Sequence, residues 1–104
     1  MMARRQQPLV VIASATPGVA EEVAARLRVD GAVAYPTHSA EGCLRVATSV
    51  RPDVVLIDPT LGKWHWLLEL LRAHPVSAQA QVEPITAQVF QAAEVERTAH
   101  LVAA

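Results

Sequence analysis

Two apolar runs in this sequence end in groups that can do chemistry. Val54-Val55-Leu56-Ile57 leads straight into Asp58-Pro59, and Ile85 is followed by Thr86-Ala87. A carboxylate at the end of a buried strand can ligate a metal or cap the start of a helix, and a strand-end threonine commonly bonds backbone groups nearby. Trp64-His65-Trp66 places both tryptophans of the chain around one histidine, a few residues beyond Asp58. A helix sends residues i and i+2 to different faces, so one ring is expected to pack inward while the other stays at least partly exposed. Exposed tryptophan is enriched where proteins bind one another. The plainer alternative is that both rings serve packing. His38, Asp58 and His65 would make a metal site only if the fold gathered them, because no HxxxH-type spacing joins them, and the reading carries no metal. Cys43, on an apolar helix face, reads as a small buried side chain.

Other chemistries lack their residues. The glycines Gly18, Gly31, Gly42 and Gly62 are scattered and form neither GxGxxG nor a Walker pattern, so nucleotide binding has no local support. There is no HExxH and no nucleophile elbow, and the reading is not an enzyme. A formal net charge of −1 argues against direct nucleic-acid binding, which needs clustered Lys and Arg, and Arg4-Arg5 is too short to serve as a binding arm. A single cysteine excludes an intrachain disulfide framework and fits a reducing cytoplasm, the expected location. No window approaches the ~20 apolar residues of a membrane span. With 104 residues, 52% of them hydrophobic, the expectation is one folded domain over 8–104 preceded by a short arm at 1–7.

The elements that must position Asp58 follow from the apolar pattern. Pro8 to Ala15 reads as a strand buried on both faces, since Leu9-Val10-Val11-Ile12 has no polar alternation. Thr16-Pro17 then predicts an N-cap and first helical residue, with Val19, Val23 and Leu27 on the inner face, Glu22, Arg26 and Arg28 left to solvent, and Gly31 past the end. Ala32 to Tyr35 is a shorter, edge-type strand that Pro36 should stop. Ser39 caps a second helix to about Val50, with Leu44, Ala47, Cys43 and Val50 inward, closed by Arg51-Pro52. After the strand Val54–Ile57, a third helix starts near Thr60 or Gly62, carries Trp64, Leu67, Leu68, Leu70 and Leu71, and stops at His74-Pro75. A fourth strand is expected over Gln81 to Ala87, although Glu83-Pro84 sits inside it, followed by a last amphipathic helix at about 88–102. Strand–helix alternation of this kind predicts an α/β fold with a parallel sheet and helices on both faces.

Leu9-Val10-Val11-Ile12, then Arg51-Pro52-Asp53-Val54-Val55-Leu56-Ile57-Asp58, then Leu68-Glu69-Leu70-Leu71-Arg72-Ala73-His74-Pro75, then Ile85-Thr86-Ala87 resemble a response-regulator receiver domain. The likeness spans roughly residues 8–87. It implies a flavodoxin-like, doubly wound sheet of order 2-1-3-4-5 with its site at the strand carboxyl ends. It also implies that Asp58 stands at the phosphoacceptor place and Thr86 at that of the switch hydroxyl.

The departures from the family pattern shape the expectation. Receivers carry two acids after the first strand to hold Mg²⁺, whereas this chain has Ala13-Ser14-Ala15. The fifth strand, its lysine and the fifth helix have no counterpart, which truncates the sheet to about four strands. The function expected is that of a degenerate receiver-like module acting by protein–protein interaction, independent of phosphorylation and without cofactor. Mg²⁺ would enter only if Asp58 were a live acceptor in a phosphorelay, the first alternative. The second is a flavodoxin-like binder of a small ligand near Ser14, Asp58 and Thr86. An uncovered apolar edge seeks a partner, so the chain is expected to bind another protein or a second copy of itself, as a homo-oligomer. The contact residues expected are Trp64, Trp66, Val82, Ile85, Val89, Phe90 and Ala93.

Overall fold

The structure is a computed structural model that describes residues 7–86. Its elements alternate: β1 (Leu9–Ala13), α1 (Val19–Val29), β2 (Val33–Thr37), α2 (Ala40–Val50), β3 (Val54–Ile57), α3 (Trp64–Ala73) and β4 (Gln81–Pro84). The four strands form one parallel sheet in the order β2-β1-β3-β4. This is the expected α/β architecture, consistent with a truncated flavodoxin-like fold. The last helix expected at 88–102 lies outside the described residues.

The apolar runs split between two layers because successive side chains on a strand point to opposite faces. Val10 and Ile12 of β1 and Leu56 of β3 pack with Ala20, Val23 and Ala24 of α1, together with Ala34 and Ile85. Val11, Ala13, Val55 and Ile57 point the other way, against Ala40, Cys43 and Ala47 of α2 and Leu67 and Leu71 of α3. A continuous apolar run is therefore what a strand between two helical layers requires.

Several local expectations are corrected. Pro36 does not stop β2, which runs on to Thr37 with Pro36 opposite Ile12. The Val33 amide donates to Pro8 across the β1 side. Alternation then turns the Pro36 nitrogen to the open side of this edge strand, where no ladder donor is needed. The same logic admits Pro84 at the other edge, since Gln81 and Ile85 donate to Asp53 and Ile57, and Pro84, one residue out of phase with them, turns its nitrogen outward. β4 ends at Pro84 rather than at Ala87.

Helix starts also differ. α1 is not capped by Thr16 with Pro17 as its first residue; Gly18 is the N-cap, in the left-handed region at φ 83°, and the helix begins at Val19. Arg26 is not left to solvent: its side chain is only 16% exposed and pairs with Glu22 one turn back, at 2.9 Å. α3 begins beyond Thr60 and Gly62, after Lys63, a left-handed residue at φ 65°. The intervening turn buries Leu61 in the α2–α3 layer. Ser39 does cap α2, its Oγ accepting from the Gly42 amide at 2.9 Å, and Gly31 follows α1 at φ 93°.

Candidate functional site

The order β2-β1-β3 reverses the chain's direction of travel across the sheet between β1 and β3, and the crevice at the carboxyl ends of such neighbouring strands is where open α/β sheets place ligands. Ser14 leaves β1 there and Asp58 leaves β3. The Asp58 amide donates to Ala13 at 2.9 Å, and the Ser14 amide donates to Thr37 at 3.1 Å. The ladder thus fixes both residues side by side.

Their side chains close on each other. Ser14 Oγ, fully buried, donates to Asp58 Oδ2 at 2.7 Å and accepts from the Thr16 amide at 3.2 Å. Asp58 Oδ1 accepts from both the amide and the hydroxyl of Thr60, at 2.9 and 2.8 Å. This is an Asx-type turn, and it holds the loop in which Leu61 donates its amide back to the Asp58 carbonyl at 2.9 Å. Burial works to raise the Asp58 pKa, but the Thr60 amide, the Ser14, Thr60 and Thr16 hydroxyls outweigh it, and the net shift is downward. The carboxyl is held ionised, and each of its oxygens already has donors.

Thr86 is half-buried one residue beyond Ile85, whose amide donates to Ile57 at 2.9 Å, so it stands at the same carboxyl edge as Asp58. Ala13 is buried in the α2–α3 layer, and Ala15 is exposed. The histidines go elsewhere: His38 binds the Glu21 carboxylate, which lowers that carboxyl's pKa chiefly through this bond, and His65 stacks on Trp64 with ring centres 3.7 Å apart. Among the described residues no three of His, Cys, Asp or Glu gather in a way that would hold a metal. Cys43 is buried, and burial pushes its thiol up to about 11, against a bond from Thr37 that lowers it.

The expected contact residues divide. Trp64 is half-buried against the α2–α3 core, whereas Trp66 is 40% exposed with the Lys63 ammonium 5.6 Å from its ring centre. Lys63 in turn binds Glu41 of α2 at 2.7 Å. Val82 is half-buried and packs on the α2–α3 layer. Ile85 is corrected from contact surface to core: it is 8% exposed and packs with Ile12, Val23 and Leu56, because the in-phase position after Glu83 points to the α1 face. Val89, Phe90 and Ala93 lie outside the described residues.

Beside Asp58 an apolar groove of about 210 Å³ opens between α3 and β4, with Trp64 and Leu68 on one wall and Val82 and Pro84 on the other, over Ile57 and Pro59. Arg72 and Glu83 stand at its rim. Sequence reading named Trp64 and Val82 but missed the groove and missed Thr60; the Asp-Pro-Thr order is the signal that points to an Asx turn. No family model matches the chain, and no curated protein or solved structure does. Among the described residues no helix is long and apolar enough to cross a membrane.

Proposed function

We propose that this chain is a receiver-like interaction module that binds another protein without being phosphorylated. The reading is carried by the arrangement around Asp58. A phosphoacceptor carboxylate needs a free oxygen to attack phosphorus and a cation to neutralise the charge that develops. Here Ser14 sits 2.7 Å from Asp58 Oδ2, so the neighbour that would best share a divalent cation is a neutral hydroxyl, which donates to the carboxylate instead of adding charge. Thr60 engages the other oxygen twice. Asp58 acts as a structural acceptor that ties the β1 and β3 exits together.

The interaction surface we propose is the exposed start of α3, where Trp66 and Lys63 lie together beside Glu41. A large ring that is already held on one side by a cation loses little freedom on binding. The partner is a protein, either a second copy or a different chain, in a cytoplasmic setting.

The test is intact-mass spectrometry of the folded chain after incubation with acetyl phosphate and Mg²⁺, alongside Asp58→Ala. No phosphate-sized adduct on either protein is the expected result. An adduct that disappears in Asp58→Ala would replace this reading with that of a working phosphorelay acceptor. A small molecule carried through purification and lost from Ser14→Leu would replace it with a ligand-binding reading.

A further inference from the structure

The side of the α2–α3 layer turned away from the sheet carries a second hollow, apart from the groove at β4. We propose that it binds an acidic amphipathic helix of another protein, a proposal that rests on the reading of Trp66 and Lys63 as an interaction surface and adds the chemistry of the partner.

The hollow follows from how the two helices bury themselves. Ala40, Cys43 and Ala47 turn α2 to the sheet, and Leu67 and Leu71 do the same for α3. Helical spacing then brings Trp66, Leu70 and Ala73 into one stripe on α3. Where that stripe meets α2 there is a depression of about 300 Å³, lined by Leu44, Thr48, Leu70, Ala73, His74 and Pro75. Leu44 and Leu70 are half-buried, and Ala73 and Pro75 are exposed, so apolar surface is left to cover. From Trp66 to Ala73 the stripe runs about 10 Å. Anchors at i, i+4 and i+7 of a docked helix span the same distance, which is how amphipathic helices fill grooves.

Charge selects the kind of helix. On α2, α3 and the residues that cap them, the exposed cations Arg45, Arg51, Lys63 and Arg72 outnumber the exposed carboxylates Glu41 and Glu69. The rest of residues 7–86 has the opposite balance, with Glu21, Glu22, Asp30, Asp53, Asp58 and Glu83 against Arg26 and Arg28. This layer is therefore the positive side of a chain whose net charge is −1. Two copies joined through this face would set positive against positive, whereas an acidic helix is drawn to it. A lipid surface has no side chains with which to fill the hollow.

Lys63 stands at the end of the stripe, one turn before Trp66. Its backbone is left-handed at φ 65°, a conformation that glycine adopts more freely, and it sets the ammonium 2.7 Å from Glu41 and 5.6 Å from the centre of the Trp66 ring. A carboxylate that arrives beside Trp66 meets a cation already in place.

The experiment titrates the isotopically labelled full chain with three synthetic helices and follows its amide NMR shifts. The first helix has leucine at i, i+4, i+7 and i+11 with glutamate around them; the second has lysine in place of the glutamates, and the third has serine in place of the leucines. The first is expected to shift the amides of Leu44, Leu70 and Ala73, with an affinity that falls as salt is raised and is about two- to fivefold weaker in Lys63→Gly. Glycine suits φ 65°, so this substitution removes the ammonium and keeps the fold. The serine helix should bind at least about tenfold more weakly than the first. A lysine helix that binds as well as the first would overturn the acidic partner while leaving the surface standing, and no shift at these amides with any helix would overturn the proposal outright. Shifts on dilution of the chain alone would give the face to a second copy instead. Shifts with phosphatidylglycerol vesicles, and none with the first helix, would give it to a membrane. None of these readouts draws on phosphorylation, so failure here leaves the reading of Asp58 where its own test puts it.

Discussion

Two neighbouring regions at the carboxyl edge of the sheet handle their unsatisfied groups in opposite ways. Around Asp58 both carboxylate oxygens have found partners within a few residues or across one strand, from Ser14, Thr16 and Thr60. Across Pro59 the groove leaves Trp64, Leu68 and Val82 with apolar surface that the rest of residues 7–86 does not cover. A satisfied polar cluster has little to offer a ligand, since a newcomer must break bonds that cost about as much as it brings. Uncovered apolar surface gains on any burial. The contrast teaches that, in this sheet, the residue most suggestive of chemistry holds structure together, while the uncovered apolar and aromatic surface lies beside it.

The largest expected effect separates the two walls of α3. Leu67 is fully buried in the α2–α3 layer, and Leu67→Ala should cost about 2–5 kcal/mol, through lost burial and the cavity left behind. Leu68, the next residue, is half-buried and lines the groove, so Leu68→Ala should cost about 1 kcal/mol. Urea denaturation of both variants measures the difference. Equal costs would mean that the groove wall is as tightly packed as the core, and the contrast with the Asp58 cluster would have to be drawn elsewhere.

A smaller effect tests whether the polar cluster is closed. Asp58→Ala leaves the buried Ser14 hydroxyl without its acceptor, a loss of about 1–3 kcal/mol. If Ser14 and Asp58 act as a pair, Ser14→Ala and Asp58→Ala will not add, and the double variant will cost clearly less than the sum. Additivity would show that the 2.7 Å bond is not sustained in solution. The same cluster sets a pH dependence. Because its folded-state pKa is lowered, Asp58 contributes stability that is complete above the unfolded carboxyl value near about 3.9 and is lost as pH falls through the folded value. Relative to Asp58→Asn, the wild-type chain should therefore lose stability on acidification below about pH 4, and parallel curves would remove the cluster from the account.

Much of this arrangement was legible in the residues. Leu9–Ile12 and Val54–Ile57 carry no polar alternation, which only a two-sided burial tolerates, and Ser39 and Gly31 mark helix ends by chemistry that acts within three residues. The prolines misled because their effect depends on which side of a strand faces the sheet. Pro36 and Pro84 are harmless only because both strands lie at edges with the proline nitrogens turned outward, a fact of register rather than of composition. Thr16-Pro17 has the residues of a helix start, yet the Gly18 backbone at φ 83° moves that start by two residues. Asp58 and Ser14 were each legible as candidates, but not their mutual bond, which joins residues 44 positions apart through the β1–β3 register. Leu61 and Ile85 hid for a related reason: their burial follows from where a turn and a strand end happen to point.

The smallest effect on folding is expected at Trp66, and it is the one that bears most directly on recognition. Trp66 is 40% exposed, and the Lys63 ammonium stands 5.6 Å from its ring centre, so Trp66→Ala should change stability by no more than about 0.5–1 kcal/mol, the size of an exposed cation–π contact. Tryptophans that anchor an interface typically cost about 2 kcal/mol or more of binding when truncated. The two numbers diverge only if the ring meets a partner. Sedimentation velocity of the wild-type chain and Trp66→Ala across a concentration series reads self-association, and the urea midpoint of the same samples reads folding. A folded variant whose association constant drops by more than about tenfold, the equivalent of 1.4 kcal/mol, would put the interface at the start of α3. Unchanged association with unchanged stability would leave Trp66 as an ordinary surface residue, and would move the search for a homo-oligomeric contact to the open edge of β4.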